Sequence, residues 1–300
     1  MHEQSEAELL ISAFASGIES FEGRYRVKSL ILALTMSFAL FLGASAFSIG
    51  VDPGEFGVLY NCGYPVTVVL DGDFADWPAN VPWHKVTHDM GWNTPEDDDD
   101  GSYEFACVAD NRYLYVAIKI WDDKEVTGET AGHDVYKDDC VELYIDGDNS
   151  KAGNYDGNDS QIMIGRDNLG GDPKKPSLGG ANPAWGAHVA NAKPGPDSGA
   201  ETAVVNTKYG WAMEVAVPLA EFDIRLADGT VIGFNVQLND DDDGGDRDHK
   251  QSWSKAELDS GVEGAYRDTS VWGELRFVET SFAVSSQGKL AATWALIKQK

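Results

Sequence analysis

From Tyr113 to Trp121, Leu114, Val116, Ile118 and Ile120 fall on every second position, with Tyr113, Tyr115 and Lys119 between them. Side chains of a strand alternate between two faces, so a period of two predicts a half-buried strand and argues against a helix. Similar short runs occur at 66–70, 103–109, 141–145, 161–165, 186–192, 200–206, 211–217, 231–238 and 272–278, separated by clusters of Gly, Asp, Asn and Pro. About ten strands spaced by turn signals predict an all-β fold, an antiparallel, jelly-roll-like β-sandwich. A tight hairpin is expected at Asn111–Arg112, one short helical turn at 218–222, and a long loop over 166–185.

Outside the sandwich, expected over 66–280, the chain divides by composition. Arg24, Arg26 and Lys28 precede an apolar run at 30–42, and Ala44, Ser45 and Ala46 supply small residues at cleavage spacing. This is the pattern of a secretory signal peptide cut after Ala46, with an uncleaved membrane anchor as the alternative. Residues 1–46 are therefore an N-terminal extension with its signal segment, 47–65 a linker or first edge segment, and 281–300 a C-terminal tail in which 290–298 has the pattern of a short helix. A secreted or periplasmic location follows. With 23 Lys and Arg against 50 Asp and Glu, the formal charge is -27. Such a surface repels nucleic acid and anionic membranes, both of which bind through clustered Lys and Arg.

Acidic residues gather at expected strand ends. Asp71, Asp73 and Asp76 form one cluster, Asp122, Asp123 and Glu125 a second, and Asp146, Asp148, Asp156 and Asp159 a third. A hard cation takes six to eight oxygens in irregular geometry, so Asp146, Asp148, Ser150, Asp156 and Asp159 are the expected ligands of a structural Ca²⁺. The run Asp240 to Asp243, followed by Asp246 and Asp248, is expected to be a solvated loop. The three cysteines, Cys62, Cys107 and Cys140, allow at most one intramolecular disulfide; Cys107 and Cys140 would meet only on neighbouring strands, and buried thiols are the alternative.

No GxSxG, phosphate-binding Gly-rich loop or HExxH occurs, and with so many acids an apparent pair of catalytic carboxylates carries no specificity. His84 and His88 have i, i+4 spacing, which matters only on a helix. The chain is therefore expected not to be an enzyme.

Five strings, VVLDGDFADW (68–77), RYLYVAIKIWDD (112–123), DDCVELYIDGDN (138–149), IGFNVQLND (232–240) and SVWGELRF (270–277), follow one another over most of the expected sandwich. In order and spacing they resemble the family 9 carbohydrate-binding modules, sugar-binding β-sandwiches often appended to xylanases. The resemblance implies noncovalent binding of the end of a poly- or oligosaccharide between two aromatic side chains, which fall on Tyr136 and Tyr266 where better-known members have tryptophans. It also implies a sugar-binding carboxylate at Glu142, a structural Trp253 and an Arg247 near the rim. Two positions depart: Met163 stands where the family has an arginine, and Glu263 where it has an asparagine. Trp83, Trp92 and Trp185 are candidates for an extended subsite. A separate glycoside hydrolase or an envelope protein is the expected protein partner. Two alternatives remain: an acidic envelope interaction module without sugar binding, and a b-type haem sandwich with Met163 as axial ligand and His188 or Met213 opposite.

Overall fold

The computed structural model describes residues 50–87, 94–128, 132–166 and 198–280. Twelve strands are formed there: β1 (Gly54–Glu55), β2 (Leu59–Tyr64), β3 (His84–Val86), β4 (Ser102–Ala109), β5 (Tyr113–Trp121), β6 (Cys140–Asp146), β7 (Asp159–Gly165), β8 (Glu201–Asn206), β9 (Gly210–Pro218), β10 (Val231–Asp240), β11 (His249–Ser252) and β12 (Gly273–Glu279). One helix, α1 (Lys255–Ser260), is capped by Ser254, whose side chain accepts from Glu257 N, and ends at Gly261 in the left-handed region.

The hydrogen-bonded order is β7-β6-β10-β12-β2-β4-β5-β9-β8, with β1 beside β2, β11 beside β10 and β3 beside β4. The period-two pattern explains how this path closes on itself. Leu114, Val116, Ile118 and Ile120 of β5 share one buried cluster with Val141, Leu143 and Ile145 of β6 and Ile232, Phe234, Val236 and Leu238 of β10. The β6–β7–β10–β12 half thus lies over the β4–β5–β9–β8 half with a common core between them, a β-sandwich.

Strand β2 joins the two halves, and it corrects the reading of 47–65 as a linker or edge segment. It pairs in parallel with β12, Cys62 opposite Phe277, and in parallel with β4, Gly63 opposite Val108. The sheet is therefore mixed rather than wholly antiparallel. The string LYNCGY has no alternation to read, because Tyr60 and Cys62 face the core while Asn61 and Gly63 are also buried.

The run 66–70 is not a strand either. It crosses the outer face of the β4–β5–β9–β8 half, where Val68 and Leu70 pack with Trp77, Ala106, Val108, Tyr115 and Ala117. Val66 N donates to Ala109 O at 2.7 Å, and beyond it side chains replace a ladder: Asp76 Oδ2 accepts from Val69 N at 2.7 Å, and Glu214 Oε2 accepts from Asp71 N and Gly72 N just after the run at 2.9 and 2.7 Å. Trp83, a candidate for a sugar subsite, belongs to this packed face, with Lys119 Nζ 3.6 Å above its ring.

The hairpin at Asn111–Arg112 forms as expected. Asp110 Oδ1 accepts from Arg112 N and Tyr113 N, and all of β4 pairs antiparallel with β5. The turn expected at 218–222 is a short helical turn at Leu219–Phe222. His84 lies on β3, buried, with Nδ1 accepting from Trp253 Nε1 at 3.0 Å. Cys62, Cys107 and Cys140 are buried thiols, and β10, β12 and β2 separate Cys140 on β6 from Cys107 on β4. The signal segment, the run 186–192, Trp92, Trp185, His88, His188 and the tail 281–300 lie outside the described residues.

Phe234 sits at the centre of the core, its ring about 6.0 Å from those of Phe105 and Trp253. Phe234→Ala removes those contacts and leaves a cavity, and is expected to destabilise the domain by about 3–5 kcal/mol. Urea denaturation checks this; a loss under about 1 kcal/mol would place the core elsewhere.

Candidate functional site

The two halves of the sandwich cover their outer faces differently. Outside β4 and β5 the cover is apolar, as described. Outside β6, β7, β10 and β11 the residues that alternate with the core are polar yet buried: Glu142 on β6, Gln161 on β7, Gln237 and Asn239 on β10, and Lys250 and Ser252 on β11. Register brings them into one layer, because Glu142 stands opposite both Met163 and Gln237, and Asn239 opposite Lys250.

Glu142 is the hub. Its side chain is 1% exposed, and burial alone pushes its carboxyl up. The charges of Lys250 and Arg247, with hydrogen bonds from Tyr144 and Asn239, outweigh burial and hold it down at about 2. Oε1 accepts from Asn239 Nδ2 at 2.6 Å and Lys250 Nζ at 3.3 Å; Oε2 accepts from the Tyr144 hydroxyl and from Gln161 Nε2 at 2.5 Å. Lys250 Nζ then donates to Glu263 Oε1 at 2.5 Å, and Arg247 donates through Nη2 to Glu263 Oε2 at 2.8 Å and through Nη1 to Asn239 Oδ1 at 3.0 Å. Two cations thus lie between two carboxylates, one deep and one nearer the surface.

Tyr136 enters from the turn before β6, half-buried, with the Arg247 guanidinium 4.9 Å from its ring centre. It packs on Val135, Cys140 and Met163. Five of the six sequence candidates, Tyr136, Glu142, Met163, Arg247 and Glu263, are therefore joined by direct contact or strand pairing. The sixth, Tyr266, is half-buried on the turn after Glu263 with the Arg267 guanidinium 5.2 Å from its ring centre. That turn is held from below by Glu257, buried, whose Oε1 accepts from Gly264 N at 3.0 Å and Ala265 N at 2.8 Å.

Lys250 was the residue sequence reasoning missed. It supplies, with Arg247, the positive charge that the resemblance would place at Met163. Its signal was a lysine two positions from Ser252 in the short run HKQS that leads into Trp253.

Met163 and Met213 do not form a haem ligand pair. Met213 faces the core between the two halves, whereas Met163 belongs to the outer cluster beside Tyr136.

At the loop expected to hold calcium, Asp146 and Asp159 are buried and Asp148 and Ser150 exposed. Asp146 Oδ1 and Asp148 Oδ1 both accept from Ser150 N, at 3.1 and 3.0 Å, and Asp146 Oδ2 accepts from Lys151 N at 3.1 Å. Asp156 Oδ1 accepts from Asn158 N at 2.9 Å, and Asp159 Oδ2 from Asp156 N at 2.6 Å. Among the described residues, carboxylates or imidazoles that gather three ligand atoms in one place do so elsewhere: Asp122 with Asp139 and Asp240, Asp100 with Asp242 and His249, and Asp241 with Asp243 and Asp248. The run Asp240 to Asp243 is therefore a solvated loop only in part, with Asp243 exposed. Asp240 and Asp241 are 2% and 0% exposed, drawn inside by the end of β10.

Residues 70–280 match the family described as carbohydrate family 9 binding domain-like. Over 210 residues, 70% of this chain, the sequence is 29% identical to the exoglucanase XynX of Acetivibrio thermocellus, and over 204 residues, 63% of this chain, 28% identical to an endo-1,4-beta-xylanase A of Thermotoga maritima. In each case the match spans only 16% of the relative's length. Among solved structures, a family 9 carbohydrate-binding module from Caldicellulosiruptor kristjanssonii in complex with cellotriose superposes with a TM-score of 0.56 at 18% identity, covering 74% of this chain and 95% of that one.

Two outcomes follow from the ion network. Lys250→Met strands a buried carboxylate and is expected to cost about 3–5 kcal/mol, whereas Lys250→Met with Glu142→Gln recovers much of that loss; chemical denaturation of the three proteins distinguishes them. Because the Glu142 carboxyl is held down from 4.5 to about 2, its contribution is complete above pH 4.5 and is lost as pH falls towards 2. Acid denaturation of Glu142→Gln should lack that part of the fall.

Proposed function

The chain belongs to the carbohydrate family 9 binding domain-like proteins, and from that membership we propose that it binds the end of a poly- or oligosaccharide without cleaving it. The observation that carries this reading is the continuous chain of contacts from the Tyr136 ring through Arg247 and Glu263 to Lys250 and Glu142. An aromatic face accepts the C–H face of a pyranose, and a few fixed polar groups beside it select hydroxyl positions.

In this reading Tyr136 and Tyr266 stack on the terminal sugar. Arg247 and Glu263, which reach nearest the surface among the charged groups, meet its hydroxyls. Glu142 is a positioning residue, since at 1% exposure its part is to hold Lys250, Arg247 and Asn239 in place. Met163 fills the space beside Tyr136 with an apolar wall instead of a charge. Two tyrosines and a few hydrogen bonds give modest affinity, on the order of micromolar to millimolar, once ordering and desolvation are met. A bound oligosaccharide such as the cellotriose of the Caldicellulosiruptor module is a suitable first probe.

Export through the segment ending at Ala46 belongs to the same proposal, as does action beside a separate glycoside hydrolase or envelope protein. The second reading, an acidic interaction module, is favoured by the closure of the ion network on itself, which leaves Glu142 and Lys250 each 1% exposed.

A glycan array followed by calorimetry tests the proposal. Tyr136→Ala with Tyr266→Ala is expected to weaken binding roughly tenfold or more, at about 0.5–1.5 kcal/mol for each ring, while circular dichroism shows the fold retained. Unaltered affinity in the double variant would refute the site, and no glycan bound by the unaltered protein would favour the interaction module.

A further inference from the structure

We propose that Glu257 is a positioning residue of the saccharide site: its buried carboxylate fixes the turn on which Tyr266 stands, and through Gln237 and Tyr144 it ties that turn to the Glu142 network. The inference rests on the sugar reading above and adds to it how the second ring is held.

The string Ser254-Lys255-Ala256-Glu257 has the pattern of a capping box, in which a glutamate at the third helical position reaches back to the amide of the capping serine. Only half of that box forms. The Ser254 side chain accepts from Glu257 N, but Ser254 N donates to Asn235 Oδ1 at 2.9 Å, and the glutamate turns the other way. Glu257, 0% exposed, is drawn into the polar layer instead.

There it accepts five hydrogen bonds, all from neutral donors. Oε1 takes Gly264 N at 3.0 Å and Ala265 N at 2.8 Å; Oε2 takes Ser252 Oγ at 2.7 Å, Asn235 Nδ2 at 3.2 Å and Gln237 Nε2. One oxygen thus faces the turn and the other faces the sheet. The salt bridges of this side run among Glu142, Arg247, Lys250 and Glu263 and end there. A carboxylate buried without a cation is costly unless its donors stay in place, so release of the two turn amides would strand it.

The turn is gripped from its carbonyls as well. Ala265 O accepts from the Tyr155 hydroxyl at 2.5 Å and from Trp272 Nε1 at 3.1 Å, and Gly264 O accepts from Arg267 N and Asp268 N, each at 3.0 Å. Tyr266 therefore projects, half-buried, from a backbone fixed on both sides.

A link to the rest of the site follows from the polarity of these bonds. A carboxylate only accepts, so Gln237 turns its amide N–H to Glu257 and its Oε1 to the Tyr144 hydroxyl, 3.1 Å away. That hydroxyl also reaches Glu142 Oε2. The path Glu142–Tyr144–Gln237–Glu257 joins the network beside Tyr136 to the turn that carries Tyr266. Rings held by one such path lose less freedom when a sugar meets them.

Cellotriose, or the tightest binder of the glycan array if another sugar outranks it, is titrated by calorimetry into the full chain. The proteins are the unaltered one, Glu257→Leu and Glu257→Gln, each with and without Tyr266→Ala. Glu257→Leu keeps the bulk but accepts nothing, and should weaken binding several-fold, no further than Tyr266→Ala does alone. Glu257→Gln, whose amide oxygen still takes Gly264 N and Ala265 N, should recover most of that loss. With Tyr266→Ala already present, Glu257→Leu should cost little more, because the ring it positions is gone. Full affinity in Glu257→Leu, or an equal loss in both backgrounds, overturns the inference and leaves the sugar reading standing. No glycan bound by the unaltered protein overturns both. If Glu257→Leu does not fold, Glu257→Asp, one methylene too short to reach turn and sheet together, replaces it with the same expected result. A further measurement needs neither variant nor ligand: the Gly264 and Ala265 amides of the unaltered protein should exchange hydrogen at least about a hundredfold more slowly than unprotected amides. Exchange at the rate of an exposed loop would show the turn unheld and overturn the inference.

Discussion

A carboxylate buried at Glu142 sets the terms for one whole side of this molecule. A charge withdrawn from water must be met by opposite charge and hydrogen bonds, or it gives up its ionisation. Here the partners come from three directions: Asn239 across the sheet, Lys250 from β11, and Arg247 from the turn before it. Each partner then constrains something nearer the surface. Lys250 and Arg247 grip the two oxygens of Glu263, and the Arg247 guanidinium lies over Tyr136. An ion pair buried at the sheet thereby fixes the orientation of side chains at the rim, and the proposed stacking of a sugar on Tyr136 would lose less freedom on binding for it.

The opposite outer face shows the alternative solution. There the loop carrying Val68, Leu70 and Trp77 closes over Ala106, Val108 and Ala117, with Glu214 tying down the loop's amides and the Trp77 indole. One sheet face is thus sealed by apolar packing and the other by a polar layer. The second is costly to build unless every group is satisfied, and it is the face on which two cations lie between two carboxylates beside the Tyr136 ring.

The core was legible because its residues obey one rule. Alternation along β5 named the four side chains that face inward, and the same rule located β6, β7, β9, β10 and β12. It failed at β2, where a strand with neighbours on both sides is buried throughout, and at 66–70, where an apolar run covers a sheet without joining its ladder. At the candidate site, the resemblance singled out Tyr136, Glu142 and Arg247, which lie together in the fold, whereas Lys250 gave no such signal, since a lysine in a short strand signals solvent unless its register against Asn239 is known. The run Asp240 to Asp243 misled for the same reason. Its charge pattern is that of an exposed loop, and only the position of Asp240 as the last residue of a central strand takes it inside.

The central claim is that the polar outer face, not the apolar one, meets the ligand. Backbone amide shifts measured by NMR while the protein is titrated with its best-bound oligosaccharide test it most directly. The account predicts the largest changes around Tyr136, Arg247, Glu263 and Tyr266, with little at Val68, Trp77 and Trp83. Changes centred on the Val68 to Trp83 face would contradict it.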